Sequence, residues 1–473
     1  MNDTDVLIIG GGISGLSTAW WLAQAGVSVQ LWGADNRIGG KIKSQQQDGY
    51  LTERSASLLM NFRPEVAQLV SEAGLDELKT QRSPQAESRR YLLNNGILQA
   101  LPMHLSGMLT SPLWSLRGKL RLLLEPFIPA GGAEDETVSQ FIRRRLGNEM
   151  LEKAIEPFVA GTLAADPDLA SAGATLPRLT ALESRFGSIT AGVLTHKLLR
   201  RRTAYTTDTF SFRGGMNTLV KTLARTPGIQ ILSNRRVEEI TPSKTGWSVT
   251  ATTSGGERSL NATHVVVATQ ASVAANLVSE MDNELASMLN DIQYAPLAVL
   301  HMGLNRDDVG HALDGTGFLA PRQERQPFTG NLWMSSLFSD RAPEGKVLLT
   351  TYLGGTRQPE AANWHDSRLM DETLLALTPL LGLKGEPEMV RIDRHAQALP
   401  RYHGAHLARD RAITEQLQNL PGLHIEANYR GGVSVRDRIA RGQQLAQRIT
   451  SQLAVTAEKL PNLTVPPLST KYR

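Results

Sequence analysis

Hydrophobic and polar positions follow two different periods along this chain, and its opening segment contains both. Val6–Ile9 is an unbroken apolar run, which is typical of a strand buried on both faces of a parallel sheet. A helical pattern then continues to about Ala25, and Val27–Trp32 predicts a second strand. Because a strand, a helix and a strand follow one another closely, this segment predicts a βαβ unit of an α/β domain.

The later pattern separates a helical region from strand-rich regions. Residues 62–200 are richer in helical pattern, whereas residues 205–270 return to strands. Beyond the opening segment, the pattern predicts further strands and a closing helix: strands at Ile229–Leu232, Trp247–Thr253, His264–Ala268, Leu297–Leu304, Lys346–Leu353 and Leu423–Ala427, and a helix near Val435–Leu453.

Glycines mark the turn between the first strand and the first helix. Gly10, Gly12 and Gly15 have the spacing G-x-G-x-x-G. This spacing permits a tight turn, lets the backbone approach a diphosphate and lets the helix pack closely on the strand. The unpaired N–H groups of the helix N-terminus then face the phosphate oxygens. The sequence therefore predicts a dinucleotide site, and the alternative is a glycine-rich turn that binds no ligand.

A second glycine pair follows the second predicted strand. Arg37 and Lys41 flank Gly39 and Gly40. The paired glycines permit another close approach to phosphate oxygens, and the two cations supply charge. Taken alone, this motif also fits an exposed turn. Nucleotide-type features at both ends and in the middle of the chain predict a discontinuous nucleotide domain.

Composition narrows the class of protein. The 473 residues suggest two or three domains, and the net charge of +4 gives little reason to expect nucleic acid as a partner. Without cysteine there is no disulfide, no thiolate metal site and no cysteine nucleophile. The sequence has no apolar run of about 18 residues and no signal-peptide pattern, so a cytoplasmic location is expected. His403 and His406 have a metal-like spacing, but we expect no metal site.

One predicted amphipathic helix has two interpretations. Its apolar face consists of Leu116, Leu120, Leu123, Leu124 and Phe127. Arg117 and Arg121 lie towards the edge of this face. A helix of this kind can lie in a membrane interface. It can equally pack on the protein's own core, and the pattern alone does not decide.

The two glycine motifs together resemble the large FAD-containing flavoprotein family that includes amine oxidases, carotene desaturases and protoporphyrinogen oxidases. Longer stretches are similar to the oxygen-dependent protoporphyrinogen oxidases: residues 110–129, 135–167, 175–189, 335–355, 398–407 and 428–442. The resemblance implies an α/β + α fold with a discontinuous Rossmann-like FAD-binding domain, a mixed-sheet substrate domain and a helical membrane-associated domain. It favours membrane contact for the helix at 116–127.

The resemblance also implies domain boundaries. The FAD-binding domain is expected in three parts, at residues 1–85, 205–272 and 396–455. The helical domain, which also holds part of the substrate pocket, is expected at 86–204. The substrate domain is expected at 273–395, and residues 456–473 are expected to form a tail.

The activity implied is FAD-dependent oxidation of protoporphyrinogen IX, or of coproporphyrinogen III, to the porphyrin in haem biosynthesis. The chemistry implied is hydride transfer from a substrate methylene to the flavin, with O2 as acceptor. The resemblance implies peripheral contact with the inner face of the cell membrane, and it leaves a homodimer open. We expect an apolar substrate slot with cations at its rim, and no residue is predicted with certainty to be catalytic.

Site residues follow from the positions that match the family's motifs. The cofactor-binding residues predicted in this way are Gly10, Gly11, Gly12, Ser14, Gly15, Asp35, Arg37, Gly39, Gly40, Lys41, Val237, Gly432, Val433, Ser434 and Val435. Arg90 is predicted to bind a substrate carboxylate, with a plain surface cation as the alternative. Gly161 is predicted to line the substrate pocket.

Several positions depart from the family's pattern around the nucleotide. Gly33 stands where an acidic residue normally accepts the ribose hydroxyls, and Asp35 is the predicted substitute. Ser55-Ala56 replaces a glycine-proline, Glu426-Ala427 replaces an alanine-glycine, and His395 replaces a tryptophan near the flavin. A carboxylate at position 426 is expected to repel the diphosphate. Two alternatives therefore stay open: a relative that binds tetrapyrrole without catalysis, and an FAD-dependent oxidase of amines or polyenes.

Overall fold

The computed structural model of the protein describes residues 3–102, 107, 110–133, 135–198 and 208–458. Residues 199–204 of the predicted helical domain and 459–473 of the predicted tail lie outside the described residues. The strands are β1 (Thr4–Ile9), β2 (Val29–Trp32), β3 (Ser44–Gln47), β4 (Tyr50–Glu53), β5 (Leu59–Met60), β6 (Lys79–Gln81), β7 (Tyr91–Asn94), β8 (Ile97–Ala100), β9 (Thr209–Phe212), β10 (Ile229–Leu232), β11 (Arg236–Ser243), β12 (Gly246–Thr253), β13 (Gly256–Val267), β14 (Tyr294–Asn305), β15 (Gly317–Leu319), β16 (Phe328–Trp333), β17 (Lys346–Gly354), β18 (Met389–Pro400) and β19 (Leu423–Ile425).

The α-helices are α1 (Ile13–Gln24), α2 (Pro64–Glu72), α3 (Pro84–Ser88), α4 (Leu116–Leu123), α5 (Val138–Arg145), α6 (Asn148–Met150), α7 (Glu156–Leu163), α8 (Ala172–Thr175), α9 (Pro177–Phe186), α10 (Ile189–Leu198), α11 (Asn217–Ala224), α12 (Ala271–Val278), α13 (Asn283–Asn290), α14 (Met334–Leu337), α15 (Asp366–Leu381), α16 (His406–Gln416) and α17 (Val435–Glu458). A π-helical turn, Leu151–Ile155, joins α6 to α7. One-turn helices lie at Asp76–Leu78, Glu125–Phe127, Arg306–Asp308, Arg322–Glu324, Pro359–Asn363 and Leu417–Asn419.

A seven-stranded sheet contains the opening βαβ unit. Its order is β10-β2-β1-β13-β12-β11, and β19 also pairs with β13. β1 runs parallel to β2 and β13, and β10 and β19 extend the parallel part. β11 and β12 continue the sheet as antiparallel strands. Residues 4–32, 229–267 and 423–425 supply these strands, so the chain enters this sheet three times.

Different helices cover the two faces of this sheet, because successive side chains of β1 point to opposite faces. Val6 and Ile8 are buried with α1, α2, α11 and α17. Leu7 and Ile9 are buried with α12, α13 and α16. The carboxyl ends of the parallel strands form the edge at which doubly wound sheets bind ligands.

A second seven-stranded sheet has the order β18-β14-β17-β16-β15-β7-β8. Its pairs are antiparallel except for the parallel pair of β15 with β7. α15 covers one of its faces, where Leu377 and Leu381 are buried with Leu300 and Trp333. The predicted α/β fold with mixed sheets is therefore confirmed. Smaller sheets consist of β3 with β4 and of β5, β9 and β6.

A separate apolar core holds the helices between residues 113 and 189 together. Within this region Glu125 and Arg145 are fully buried and form an ion pair. Burial by itself raises the pKa of Glu125, but hydrogen bonds from Ser188 and from the Thr190 and Ile189 N–H groups lower it to about 2. The charged carboxylate therefore also binds the first N–H groups of α10.

The amphipathic helix predicted over 116–127 is divided into two parts. α4 ends at Leu123, and a proline lies inside the one-turn helix Glu125–Phe127. Its apolar face is not buried, since Leu116 is 84% exposed and Phe127 is 82% exposed. The interpretation that this face packs on the protein's own core is therefore wrong for the described residues. Among the described residues, no helix is long and apolar enough to cross a membrane.

Most predicted elements form, with shifted ends. β10 has the predicted bounds, whereas β13 begins at Gly256 rather than at His264. The early half of β13 is polar and exposed because it pairs with β12 at the outer part of the sheet. β19 ends at Ile425 rather than at Ala427, and α17 continues to Glu458.

Candidate functional site

The opening glycine turn is built by close backbone approaches. Gly10 has a φ of +113°, and a Cβ atom there would lie 2.7 Å from the carbonyl oxygen of Ala268. A Cβ atom on Gly15 would lie against the carbonyl oxygen of Gly10, so α1 can start directly above the end of β1 only with glycine at this position. Gly12 differs from both, because a Cβ atom there would meet no protein atom within 4 Å.

The second glycine pair lies opposite the first turn. Gly39 has a φ of +115°, and its N–H donates to the carbonyl oxygen of Gly11 at 2.7 Å. A Cβ atom on Gly40 would lie 3.1 Å from the Cα atom of Gly12. The guanidinium of Arg37 donates to carbonyl oxygens of its own turn, at residues 38, 40 and 42. The two glycine turns therefore form one wall, and Arg37 holds the second turn in shape.

Both turns open onto a cavity of about 1310 Å³ at the carboxyl edge of the first sheet. This volume exceeds the usual range for drug-sized ligands and suits an extended dinucleotide. The lining residues are 9–14, 32–37, 39–42, 54–56, 234–238, 268–270, 273, 276, 277, 394–399, 427, 428, 433, 435 and 438. The cavity thus joins parts of the chain that lie more than 400 residues apart.

Most of the predicted cofactor residues meet in this cavity. Those that line it are Gly10, Gly11, Gly12, Ser14, Asp35, Arg37, Gly39, Gly40, Lys41, Val237, Val433 and Val435. Gly15, Gly432 and Ser434 are not among its lining residues. Gly15 lies behind the turn, within α1, while Gly432 and Ser434 belong to the segment that leads into α17.

Charge in the cavity favours an anionic ligand. Seven of its lining residues are arginine or lysine, whereas Asp35 and Glu238 are its acidic ones; the cations are Arg37, Lys41, Arg54, Arg235, Arg236, Arg394 and Arg438. Of these, Arg438 is almost fully buried, and Lys41 is partly buried. Burial, helped by the nearby charge of Arg54, lowers the pKa of Lys41 to about 8.

Lys41 and its neighbours connect the two sheets. The Lys41 ammonium donates to the carbonyl oxygens of Gln397 and Ala398 on β18, the latter at 2.7 Å. Ser55, which replaces a family glycine, donates from its hydroxyl to the carbonyl oxygen of Lys41 at 2.9 Å. His395 Nε2 donates to the carbonyl oxygen of Arg54 at 2.8 Å, and burial lowers the pKa of His395. These departures therefore build the cavity wall without closing the cavity.

Glu426 does not reach the cavity, and the expectation that it repels a diphosphate there is wrong. Its side chain is 1% exposed and pairs with Arg438 at 2.6 Å and with Arg441 at 3.5 Å. Arg438 lies between Glu426 and the cavity in this pairing, because Arg438 lines the cavity and Glu426 does not. The buried carboxylate is neutralised by a partner from α17.

The acidic residue expected at the ribose lies at the cavity wall. Gly33 donates its N–H to the carbonyl oxygen of Leu232 at 3.0 Å, which ties the end of β2 to β10. Two residues later, Asp35 is exposed and lines the cavity. Its backbone carbonyl accepts the N–H of Asn234 at 3.1 Å. This turn therefore places the Asp35 carboxylate at the cavity wall, close in the chain to Gly33, which has no side chain to bind the ribose.

Tyr402 is a structural residue of the site that sequence reasoning missed. Its hydroxyl donates to the carbonyl oxygen of Asn428 at 2.6 Å and accepts the N–H of Gly432 at 3.0 Å. The two bonds close the loop that brings Val433 and Val435 to the cavity. Nothing in the local sequence of Tyr402 indicates this role, because both partners lie about 30 residues away.

The two predicted substrate residues lie outside the cofactor cavity. Gly161 is on α7, and a Cβ atom there would lie 2.5 Å from the Leu319 side chain and 3.5 Å from the carbonyl oxygen of Thr329. Arg90 precedes β7 and is exposed, and burial of part of its side chain together with the charge of Arg82 lowers its pKa. The described residues hold no group of three or more metal-ligating side chains.

Comparison with known proteins decides the family. The sequence profile of the flavin-containing amine oxidoreductases matches residues 13–450. The chain belongs to this family. It is therefore an FAD-dependent oxidoreductase, and the prediction of FAD as cofactor is confirmed.

Individual relatives match along nearly the whole chain. The chain is 32% identical to protoporphyrinogen oxidase 2 of Arabidopsis thaliana, with 97% of this chain and 96% of the relative covered. It is 28% identical to coproporphyrinogen III oxidase of Bacillus subtilis (strain 168), with 93% and 96% covered. The crystal structure of a putative protoporphyrinogen oxidase from Exiguobacterium sp. 255-15 superposes with a TM-score of 0.78 at 22% identity, with 96% and 100% covered. The resemblance to the protoporphyrinogen oxidases is therefore confirmed.

Gly12→Val is expected to abolish flavin retention without unfolding the chain. Gly12 has a φ of −77°, which any residue adopts, and the added side chain would meet the cavity rather than the protein. Flavin absorbance per protein and the Tm measure the two effects. Gly15→Ala is the contrast, because its methyl group would lie against the Gly10 carbonyl and should lower the Tm as well. A Gly12→Val protein that keeps its flavin would contradict the assignment of this turn to the diphosphate.

Asp35→Ala is expected to weaken FAD binding by about tenfold to a hundredfold, since a hydrogen bond to a charged group contributes roughly 1.5–3 kcal/mol. Titration of the apoprotein with FAD, followed by flavin fluorescence, gives the Kd. Asp307→Ala is the matched control, because Asp307 is also exposed and does not line the cavity. An unchanged Kd for Asp35→Ala would show that another group binds the ribose.

Proposed function

We propose that the protein oxidises a porphyrinogen, protoporphyrinogen IX or coproporphyrinogen III, to the porphyrin in haem biosynthesis. The observation that carries this proposal is the open cavity between the two glycine turns and the start of α17, which no departure from the family's pattern closes. Relatives named for each of these two substrates cover 93% or more of this chain. O2 is the proposed electron acceptor.

The proposed arrangement of FAD follows the cavity wall. Gly10–Gly12 and Gly39–Gly40 hold the diphosphate, Asp35 binds the ribose, and the backbone of Val237 contacts the adenine. Val433 and Val435 lie along the flavin, where bound FAD supplies the two-electron chemistry. The N-terminus of α17 lies at that end of the cavity, which favours negative charge on the ligand.

The geometry favours an enzyme over a carrier that binds tetrapyrrole without catalysis. The carrier interpretation follows from the departures at Gly33, Ser55-Ala56, Glu426-Ala427 and His395. Glu426 is neutralised by Arg438, and Asp35 lies at the cavity. We therefore propose that cofactor binding and catalysis are both retained.

We further propose that the protein contacts the inner face of the cell membrane from the cytoplasm. The apolar face of α4 and the turn after it is exposed, with Leu120 at 58% and Leu123 at 57% in addition to Leu116 and Phe127. Arg117 and Lys119 lie on the same helix, where they suit anionic lipid headgroups. Support for this proposal comes from the exposure of that face.

A porphyrin fluorescence assay tests the proposed activity. The holoenzyme is mixed with protoporphyrinogen IX or coproporphyrinogen III, and fluorescence should rise faster than in a control without enzyme. Arg90→Ala should raise KM about tenfold, because it removes a charged partner of a substrate carboxylate. Arg225→Ala removes an exposed arginine from the end of α11 and should leave KM unchanged. Failure to oxidise either porphyrinogen above the control would reject the proposed function.

Co-sedimentation with anionic vesicles tests the membrane contact. The variant Leu120→Ser/Phe127→Ser should sediment less than the wild type, since each side chain offers apolar surface to the lipid. Leu375→Ser is the control, because Leu375 is 76% exposed on α15, away from this face. Equal sedimentation of all three proteins would contradict the contact.

A further inference from the structure

Two arginines lie over one phenylalanine, and a third is close to them, where the helical region approaches the start of α17. The guanidinium carbons of Arg178, on α9, and Arg436, on α17, lie 5.3 Å and 5.2 Å from the centre of the Phe62 ring. Arg63 follows Phe62 in the chain. Two guanidinium groups thus share one aromatic ring, and each is attracted by the ring's electrons.

The charge of this arginine cluster, Arg63, Arg178 and Arg436, is not balanced. Asp437 Oδ1 accepts from Arg63 Nε at 3.2 Å and from Arg63 Nη2 at 3.0 Å. Asp437 Oδ2 accepts from the Ser434 hydroxyl. Arg436 Nε is 3.9 Å from Asp437 Oδ1, so Arg436 gains only a long ion pair. In the described part of the chain, Asp437 is the one carboxylate paired with the cluster, which leaves about two positive charges in excess.

Arg436 has hydrogen-bonding capacity that the described protein atoms do not use. Its Nη1 is buried and has no hydrogen-bond partner among the described residues. Burial lowers the pKa of Arg436, and the positive charges of Arg178 and Arg63 lower it further. Holding three guanidinium groups together costs electrostatic energy. A bound anion would offset this cost and would accept from the free N–H groups.

The cluster lies beside the proposed flavin end of the cavity. Arg436 directly follows Val435, which lines the cavity, and Asp437 is bonded to Ser434 in the same turn. Arg178 is exposed on α9, so the cluster is open on the side of the helical region. An anion bound here would lie near the start of α17 and would be reached from outside the protein.

We propose that Arg178 and Arg436 bind a carboxylate of the substrate, with Phe62 in contact with the adjoining apolar part of the same molecule. This inference rests on the proposed function, because porphyrinogens are broad apolar molecules with carboxylates at their edge. A guanidinium matches the planar carboxylate with two parallel hydrogen bonds. The site is separate from Arg90, which precedes β7 in the second sheet.

Binding of product to the FAD-loaded protein tests the cluster. The probes are coproporphyrin III and its tetramethyl ester, which has the same ring without charge, and porphyrin fluorescence gives the Kd. Arg178→Gln/Arg436→Gln should raise the Kd of the acid about tenfold and leave the Kd of the ester unchanged. The KM for coproporphyrinogen III should rise in the same variant. Arg368→Gln is the matched control, because Arg368 also lies over an aromatic ring, 4.0 Å from the centre of Trp364, and is exposed.

The outcomes separate the cluster from the proposed function. Suppose that the wild type oxidises coproporphyrinogen III but the double variant binds the acid as tightly as the wild type does. The proposal that the cluster binds a substrate carboxylate is then wrong, and the proposed function stands. An equal rise in the Kd of the acid and of the ester also contradicts carboxylate binding by the cluster. Such a result would indicate that the substitutions changed the shape of the site rather than its charge. A wild type that neither binds nor oxidises a porphyrinogen overturns both. If the double variant loses FAD, the single variant Arg178→Gln is used instead, because Arg178 is exposed. The Kd values of the acid and the ester are then compared for this variant in the same way.

Discussion

The packing of the first helix against the last is the constraint on which the cavity depends. Ser17 on α1 donates to the carbonyl oxygen of Arg438 on α17 at 3.0 Å, and Trp21 donates to that of Ile439 at 3.1 Å. Gly442 permits this approach, since a Cβ atom there would lie 2.6 Å from the Ser17 hydroxyl. Because α1 is fixed on β1 through Gly15, the start of α17 is held beside the opening glycine turn. Residues at the two ends of the chain therefore form one binding wall.

The departures from the family's pattern around this wall are compensated within the protein. The carboxylate at position 426 is buried against Arg438, and the hydroxyl at position 55 bonds to the carbonyl of Lys41. Arg438 has two functions as a result, since it neutralises Glu426 and lines the cavity. Such pairs are costly to break one partner at a time, because the remaining charge is left buried. The substitutions thus preserve an open, positively charged cavity.

Local sequence patterns predicted the elements that are marked by an apolar run or by a characteristic glycine spacing. β1, the glycine turn and β10 follow from apolar runs and glycine spacing, and β10 has the predicted bounds. The polar first half of β13 could not be predicted, because its pairing with β12 supplies the stabilisation that its sequence lacks. Tyr402 and the Glu426–Arg438 pair depend on how distant segments meet, which no local period encodes. The domain boundaries and the roles of the individual site residues stay predictions.

The most direct test of this account is the absorbance spectrum of the wild-type protein as isolated, with FAD quantified per chain. Because the two glycine turns and the start of α17 enclose a dinucleotide cavity, we expect flavin bands with FAD close to stoichiometric with the chain, or recovery of that ratio when FAD is added. A folded, colourless protein that does not bind added FAD would contradict it.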